Sequence, residues 1–172
     1  GLFFNAKDLC MIAHIPTLIE AGIQSFKIEG RMRDPEYIGT VARCYREAID
    51  SYFDETFSSQ KVNQWQSQLQ DVFNRGFHTG FYFNTPSPKD VSRSHRGNQS
   101  RLKRHMVGKV INYYRKAHAV EMELTSGQLT KGQTIIFENE GNFYHKQTID
   151  SLRINDDPVH QTPIASKTHH VI

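Results

Sequence analysis

Several features that define whole classes of protein are scarce or missing in this sequence. It contains only two cysteines, Cys10 and Cys44, in 172 residues, too few for a disulfide-stapled secreted scaffold. No apolar run approaches the roughly 20 residues that a membrane-spanning helix needs. Neither charge dominates, since 21 Lys and Arg stand against 18 Asp and Glu, so a polyanionic partner is permitted without being required. We therefore expect a globular protein of the reducing cytoplasm with no membrane segment.

The first third of the chain alternates between strand and helix patterns. The elements in order are a short apolar strand at residues 2–5, a helix that restarts at Pro16 and stops at Gly22, a strand over residues 23–30, and a helix begun by Asp34 and Pro35. Such an order predicts parallel strand pairing with helical crossovers. A third helix is predicted over residues 61–74, ended by Arg75 and Gly76.

The remaining sequence changes character twice. Residues 85–105 combine prolines, serines and six Lys or Arg with a single Asp, which is typical of an exposed, mobile basic linker. From residue 106 the apolar period becomes two, as when Val120, Met122 and Leu124 alternate with glutamates. We predict an α/β region over residues 1–84, the linker over 85–105, and a small antiparallel β-barrel over 106–172.

The strand predicted over residues 23–30 ends in a concentration of charge. Phe26 and Ile28 occupy alternate positions that would pack under helices, and Lys27 and Glu29 would face the lumen of an α/β barrel. Arg31 and Arg33 follow on the next loop. A buried carboxylate needs a cation or a metal beside it. Both an internal salt bridge that closes the barrel and a substrate-binding site fit this pattern.

A second group of polar residues follows the first strand at the same predicted end of the sheet. Asn5, Lys7 and Asp8 could help to hold an anionic substrate. Cys10 fits a metal ligand, a nucleophile or a small buried hydrophobe, of which the last is the commonest use of a lone cysteine. His14 stands four residues later, but Pro16 disturbs a shared helix face, so no self-contained zinc site is predicted.

The basic linker offers candidate phosphate contacts. They are Arg93, Arg96, Arg101, Lys103 and Arg104. A solvated loop is the commoner role of such a charge run. At a predicted hairpin, Tyr113 and Tyr114 adjoin Arg115 and Lys116, a combination that suits single-stranded or looped RNA.

Three segments carry a resemblance to a known family. KDLC, KIEGR and RGFHTGFY, within residues 3–84, closely resemble peptidase family U32, the collagenase-like proteins of unassigned catalytic type. The resemblance implies a TIM-like barrel whose last two βα units are residues 2–53, followed by a small barrel similar to the second domain of translation elongation factors. It also implies that the chain is the C-terminal portion of a longer protein, lacks the upstream barrel and is inactive alone.

Several members of this family resemble prephenate-dependent tRNA uridine hydroxylases that carry an iron–sulfur cluster. The resemblance therefore implies tRNA or another RNA as partner, prephenate as co-substrate, and Cys10 as one cluster ligand. On this hypothesis Lys27, Glu29 and Arg31 are catalytic, and the residues that bind substrate are Asn5, Lys7, Asp8 and Arg33. Two alternatives stay open. The family name implies a peptidase, and the C-terminal part could be a non-catalytic module that binds RNA or protein.

Overall fold

The structure, a computed structural model, describes residues 6–90, 97–139, 143–165 and 169–171. It divides into two compact units, residues 1–103 and 104–172. In the described parts of both units, no helix combines the length and the apolar character needed to cross a membrane.

Three α-helices in the described residues of the first unit begin where local chemistry favours a helix start. Helix α1 (Ile15–Glu20) has Pro16 in its first turn, and Gly22 follows it with φ of 85°. Asp34 caps α2 (Pro35–Phe53) by accepting a 2.8 Å hydrogen bond from the backbone N–H of Tyr37. Both starts and the stop at Gly22 are confirmed. Helix α3 (Ser59–Asp71) begins earlier than predicted because Ser58 caps it by accepting a hydrogen bond from the backbone N–H of Lys61. It also ends earlier than predicted, because the backbone of Val72 is extended.

These helices enclose one hydrophobic core. Its fully or almost fully buried members are Ile12, Ile15, Val41, Cys44, Ala48, Val62, Trp65 and Leu69. Each large apolar side chain buried here contributes about 1.5–3 kcal/mol relative to exposure. The indole N–H of Trp65 donates a 2.9 Å hydrogen bond to Glu47, which satisfies the one polar group of that ring. Cys44 is part of this packing, as its place on α2 predicts.

A short parallel strand pair lies beside this core. Strand β1 (Asp8–Leu9) pairs with β2 (Phe77–His78), with Asp8 opposite Phe77 and Leu9 opposite His78. The strand predicted over residues 2–5 lies outside the described residues. Residues 23–30 have no ladder partner in the described part of the chain, so the predicted strand there is not formed. They do keep a strand's period-two burial, because Phe26 and Ile28 pack on the core.

The second unit is built from antiparallel strands. One sheet contains strands β3 (Gly108–Tyr114), β4 (Ala119–Leu124) and β9 (His169–Val171). Two separate hairpins follow β4 in the chain: β5–β6 (Thr134–Glu138, Tyr144–Thr148) and β7–β8 (Arg153–Ile154, Asp157–Pro158). Its core contains Met122, Leu124, Leu129 and Leu152. The buried alternation along β4 matches the sequence pattern. The described strands do not join into one closed sheet, so both the TIM-like barrel and the small barrel stay predictions.

Candidate functional site

One carboxylate on β1 gathers two arginines from distant segments. Asp8 accepts hydrogen bonds from the backbone N–H of Arg75 at 2.9 Å, from its Nε at 3.1 Å and from its Nη2 at 2.7 Å. Arg33 Nη2 lies 3.3 Å from the same Asp8 carboxylate. Only 14% of the Asp8 side chain is exposed. We call Asp8, Arg33 and Arg75 the Asp8 cluster.

Arg33 is held from two further sides by aromatic rings. Its guanidinium carbon lies 4.9 Å from the centre of the Tyr37 ring and 4.4 Å from that of Phe73. Its side chain is only 16% exposed. Cation–π contacts and a carboxylate partner together compensate the lost hydration of this charge. The predicted substrate-binding residues Asp8 and Arg33 are thus brought together, and they engage each other within the protein.

Sequence reasoning did not find Arg75 as a member of the Asp8 cluster, nor Tyr37 and Phe73 as the rings that contact Arg33. Arg75 stands 67 residues from Asp8 along the chain, and only the pairing of β1 with β2 brings the two together. The sequence signal was limited to the place of Arg75 in RGFHTGFY, two residues before β2, because parallel pairing brings the starts of the two strands close together.

Cys10 lies on the same side of β1 as Asp8 and faces helix α2. The Tyr45 hydroxyl accepts a 2.9 Å hydrogen bond from the backbone N–H of Met11 and donates to Cys10 Sγ at 3.9 Å. Burial raises the pKa of the Cys10 thiol, which favours the protonated form. Burial likewise raises the pKa of Tyr45.

These surroundings do not by themselves make a metal site. No group of three or more His, Cys, Asp or Glu side chains suited to a metal ion occurs within the described ranges. Cys10 supplies one protonated thiol there, whereas a cluster needs several deprotonated ones. The residues described do not assemble an iron–sulfur site, and cluster ligation by Cys10 stays a prediction.

In three extended segments, exposed or partly exposed residues alternate with residues that face the helices. Cys10, Phe26, Ile28 and Phe77 pack towards the helices. By the alternation of extended chain, the intervening residues point away from them. Lys27, Glu29 and Leu9 are exposed and Lys7 and His78 partly so. We call these residues the helix-free face: Lys7, Leu9, Lys27, Glu29 and His78.

Two of the predicted catalytic residues thus lie on the helix-free face, and the third follows them on the next loop. Glu29 Oε1 accepts a 2.7 Å hydrogen bond from the backbone N–H of Arg31, which closes a local turn. The backbone N–H of Arg33 donates to the Gly30 carbonyl at 3.1 Å. The Arg31 side chain is exposed. The carboxylate of Glu29 therefore accepts a backbone hydrogen bond and forms no internal salt bridge in the part of the chain that the structure describes.

The candidate phosphate contacts divide into two groups. Two of them, Arg93 and Arg96, lie outside the described residues, as does Asn5 of the predicted substrate-binding group. Arg101 is tied to helix α3, because its Nε and Nη2 contact Asp71 at 2.8 and 2.7 Å and its Nη2 reaches the Ser67 carbonyl at 2.9 Å.

The neighbours of Arg101 are also engaged. Lys103 Nζ donates to the Asn98 carbonyl at 3.1 Å, and Arg104 Nη1 contacts Glu138 at 2.8 Å within the second unit. Ser100 is 4% exposed. Backbone hydrogen bonds join Gln99 to Asn74 and Arg101 to Gln70, so this part of the predicted linker is anchored to the first unit, while residues 101–105 are exposed as predicted.

Comparison with known proteins decides the family. The family model of peptidase family U32 matches residues 1–92. The chain belongs to peptidase family U32. This confirms the resemblance drawn from its KDLC, KIEGR and RGFHTGFY segments.

Named relatives of this U32 chain fall into two groups. An uncharacterized protease of Methanocaldococcus jannaschii is 37% identical over 161 residues, 90% of this chain and 38% of the relative. A collagenase of Porphyromonas gingivalis is 38% identical over 149 residues, 87% of this chain and 41% of the relative. The tRNA hydroxylation protein P1 of Bacillus subtilis is 36% identical over 121 residues, 69% of this chain and 28% of the relative. The chain thus spans well under half the length of these relatives. No solved structure gives a significant match.

Proposed function

We propose that this U32 chain is part of an RNA-modifying enzyme that hydroxylates the wobble uridine of tRNA in a prephenate-dependent reaction. One observation carries the proposal. The charged candidates Lys27 and Glu29 are exposed on the helix-free face, whereas the thiol of Cys10 faces the helices and is kept protonated by burial. The similarity to tRNA hydroxylation protein P1 supports the same assignment.

The exposed cations suit a dicarboxylate substrate such as prephenate. Arg31 can pair with a carboxylate through two parallel N–H···O bonds, and Lys27 can add a point charge. Arg33 has another role in this proposal, because Asp8 and two aromatic rings already hold its guanidinium. We assign the Asp8 cluster to positioning the loop that carries Arg31.

The second unit offers a surface for the RNA. Residues 109–118 contain Lys109, Arg115 and Lys116 and no carboxylate. Tyr113 on β3 is 52% exposed, and its hydroxyl lies 3.5 Å from His118 Nδ1. Exposed rings beside cations are typical of surfaces that bind single-stranded RNA. The RNA affinity of the protein should therefore fall steeply with salt concentration and weaken in a Lys109→Ala, Arg115→Ala, Lys116→Ala variant.

The decisive experiment examines tRNA from cells that lack the gene. We expect mass spectrometry to show the loss of 5-hydroxyuridine derivatives, and the full-length protein to restore them. A Glu29→Gln variant should fail to restore them, whereas Glu20→Gln, an exposed glutamate at the end of α1, should succeed. Normal levels of the modified nucleosides in the deletion strain would contradict the proposal.

A peptidase is the second candidate, favoured by the identity to a protein named collagenase. It predicts that the highly purified full-length protein degrades denatured collagen and that Glu29→Gln abolishes this activity. The buried, protonated Cys10 argues against a thiol nucleophile. Collagen degradation that Glu29→Gln removes and Glu20→Gln leaves intact would decide for this candidate.

A further inference from the structure

The turn that follows Glu29 holds a methionine in a backbone conformation that suits glycine. The backbone N–H of Arg33 donates to the Gly30 carbonyl at 3.1 Å and closes a four-residue turn. The third residue of this turn, Met32, has a φ of 59°, whereas Arg31 before it has a negative φ. This is the pattern of a type II turn, whose third position normally holds glycine or asparagine.

Met32 occupies this turn at a cost in stability. A left-handed backbone disfavours an L-residue by a factor of about 5–30 in the folding equilibrium, a penalty that glycine escapes. The Met32 side chain is 96% exposed, so its own packing offsets little of that penalty. A single exposed apolar residue is ordinary, but strained backbone concentrates at functional sites. An apolar side chain that is both strained and exposed therefore indicates a contact outside the fold.

The turn is anchored on both sides. Gly30 lies against Ile38, because a Cβ added to this glycine would approach Ile38 Cγ1 to 3.3 Å. Arg33 is held by the Asp8 cluster and by two aromatic rings. The two residues between these anchors, Arg31 and Met32, are exposed. Since their backbone is already fixed, a ligand can contact both side chains without first ordering the loop.

The charge beside Met32 favours an anion. Residues 27–32 contain two cations, Lys27 and Arg31, and one carboxylate, Glu29. That carboxylate accepts the backbone N–H of Arg31, and both cationic side chains are exposed. The Cα atoms of Arg31 and Met32 are about 3.8 Å apart, as across any trans peptide, so one small molecule can reach both side chains. A guanidinium pairs with a carboxylate, and a thioether side chain packs on an unsaturated ring.

We propose that Met32 packs on the carbon ring of a small carboxylate whose carboxyl group pairs with Arg31. In the proposed function, on which this inference rests, that molecule is prephenate, whose two carboxylates are attached directly and through a short side chain to one unsaturated six-membered ring. Met32 thereby determines which anion the turn accepts, since Arg31 alone pairs with any carboxylate. The strained φ persists because glycine, which would relieve the strain, has no side chain to cover the ring.

Titration calorimetry of the full-length protein with prephenate tests the contact. Met32→Ala keeps the strained backbone and removes the thioether, so it should weaken prephenate binding by about tenfold. Met32→Leu restores an apolar surface of similar volume and should bind within about twofold of the wild type. Met32→Gln, which has a similar length but a polar end, should bind as weakly as Met32→Ala. The leucine and glutamine variants together separate an apolar contact from the mere bulk of the side chain.

Met32→Gly separates the ligand contact from the stability of the fold. It removes the strain and the side chain together, so it should raise the equilibrium constant for folding by about threefold or more in urea unfolding. It should also weaken prephenate binding as much as Met32→Ala. Glu55 is the matched control, since it is exposed with a φ of 56° beyond the far end of α2, about 28 Å of helix away. Glu55→Gly should stabilise the fold similarly and leave prephenate binding unchanged.

Several results would overturn the inference. They are a wild-type protein that does not bind prephenate, a Met32→Ala variant that binds it as tightly as the wild type, and equal effects of Met32→Gly and Glu55→Gly on binding. A Met32→Ala variant that binds RNA oligonucleotides more weakly and prephenate normally would also overturn it, and would assign the side chain to a base. The proposed function fails separately, if tRNA from the deletion strain keeps its hydroxyuridine while prephenate binding responds to Met32 as described.

Discussion

Charge is treated in opposite ways on the helix side of β1 and on the helix-free face. On the helix side, Asp8 is 14% exposed and holds two arginines. On the helix-free face, Leu9, Lys27 and Glu29 are exposed. Alternating residues of these extended segments therefore pack against the helices on one side and are exposed on the other. Whether a charge near the end of an extended segment is paired inside the fold or exposed therefore depends on which side of the segment it occupies.

The largest expected effect comes from removing the carboxylate that two guanidiniums share. Asp8→Asn should lower the free energy of unfolding by about 3 kcal/mol, because it leaves Arg33 and Arg75 beside a neutral amide in a partly buried site. Urea unfolding measures this. Asp50→Asn, which breaks the exposed pair with Arg46, should cost less than about 1 kcal/mol. Equal costs for the two variants would show that the Asp8 cluster is not buried structure.

The next effect appears at high pH on the helix side. Burial raises the pKa of the Cys44 thiol from 9.0 to about 11. Between these values the unfolded chain has lost the proton and the native state still holds it, so stability should fall as pH rises. The slope is at most about 1.4 kcal/mol per pH unit for one thiol. Cys44→Ala should show a flatter curve from pH 9 to 11 in urea unfolding, and parallel curves would refute this.

A smaller effect tests whether Arg101 stabilises the fold or contacts a phosphate of the RNA. The contacts with Asp71 and Ser67 predict that Arg101→Ala lowers the free energy of unfolding by about 1 kcal/mol. Arg31→Ala, on an exposed side chain, should change it by less than about 0.5 kcal/mol. A stability equal to wild type, combined with weakened RNA binding, would instead make Arg101 a phosphate contact.

The smallest effect on stability is expected on the helix-free face. Lys27→Ala should leave the free energy of unfolding within about 0.5 kcal/mol of wild type, because the side chain is exposed. The same variant should fail to restore hydroxyuridine in the deletion strain. A large loss of stability would place Lys27 with the structural charges, and full complementation would remove it from the site.

The local elements were predictable because their causes are local. An Asp-Pro pair before an apolar helical pattern favours a helix start, as at Asp34 and Pro35, and Gly22 ends a helix at low cost with positive φ. The alternation also predicted that Phe26 and Ile28 pack on the helices, whereas Lys27 and Glu29, predicted to face a barrel lumen, are exposed in the structure. That residues 23–30 have no ladder partner among the described residues was not predictable, because a strand needs a neighbour that the segment itself cannot specify.

The sequence by itself determined the helix starts, the apolar faces and, through KDLC, KIEGR and RGFHTGFY, the family. Only the tertiary structure decided which charges bind each other. Asp8 met Arg75 across 67 residues, and Arg101 turned back onto α3. Short-range patterns fix periodicity and caps, whereas the partner of a charged side chain depends on which distant segments pack together, and no local pattern encodes that.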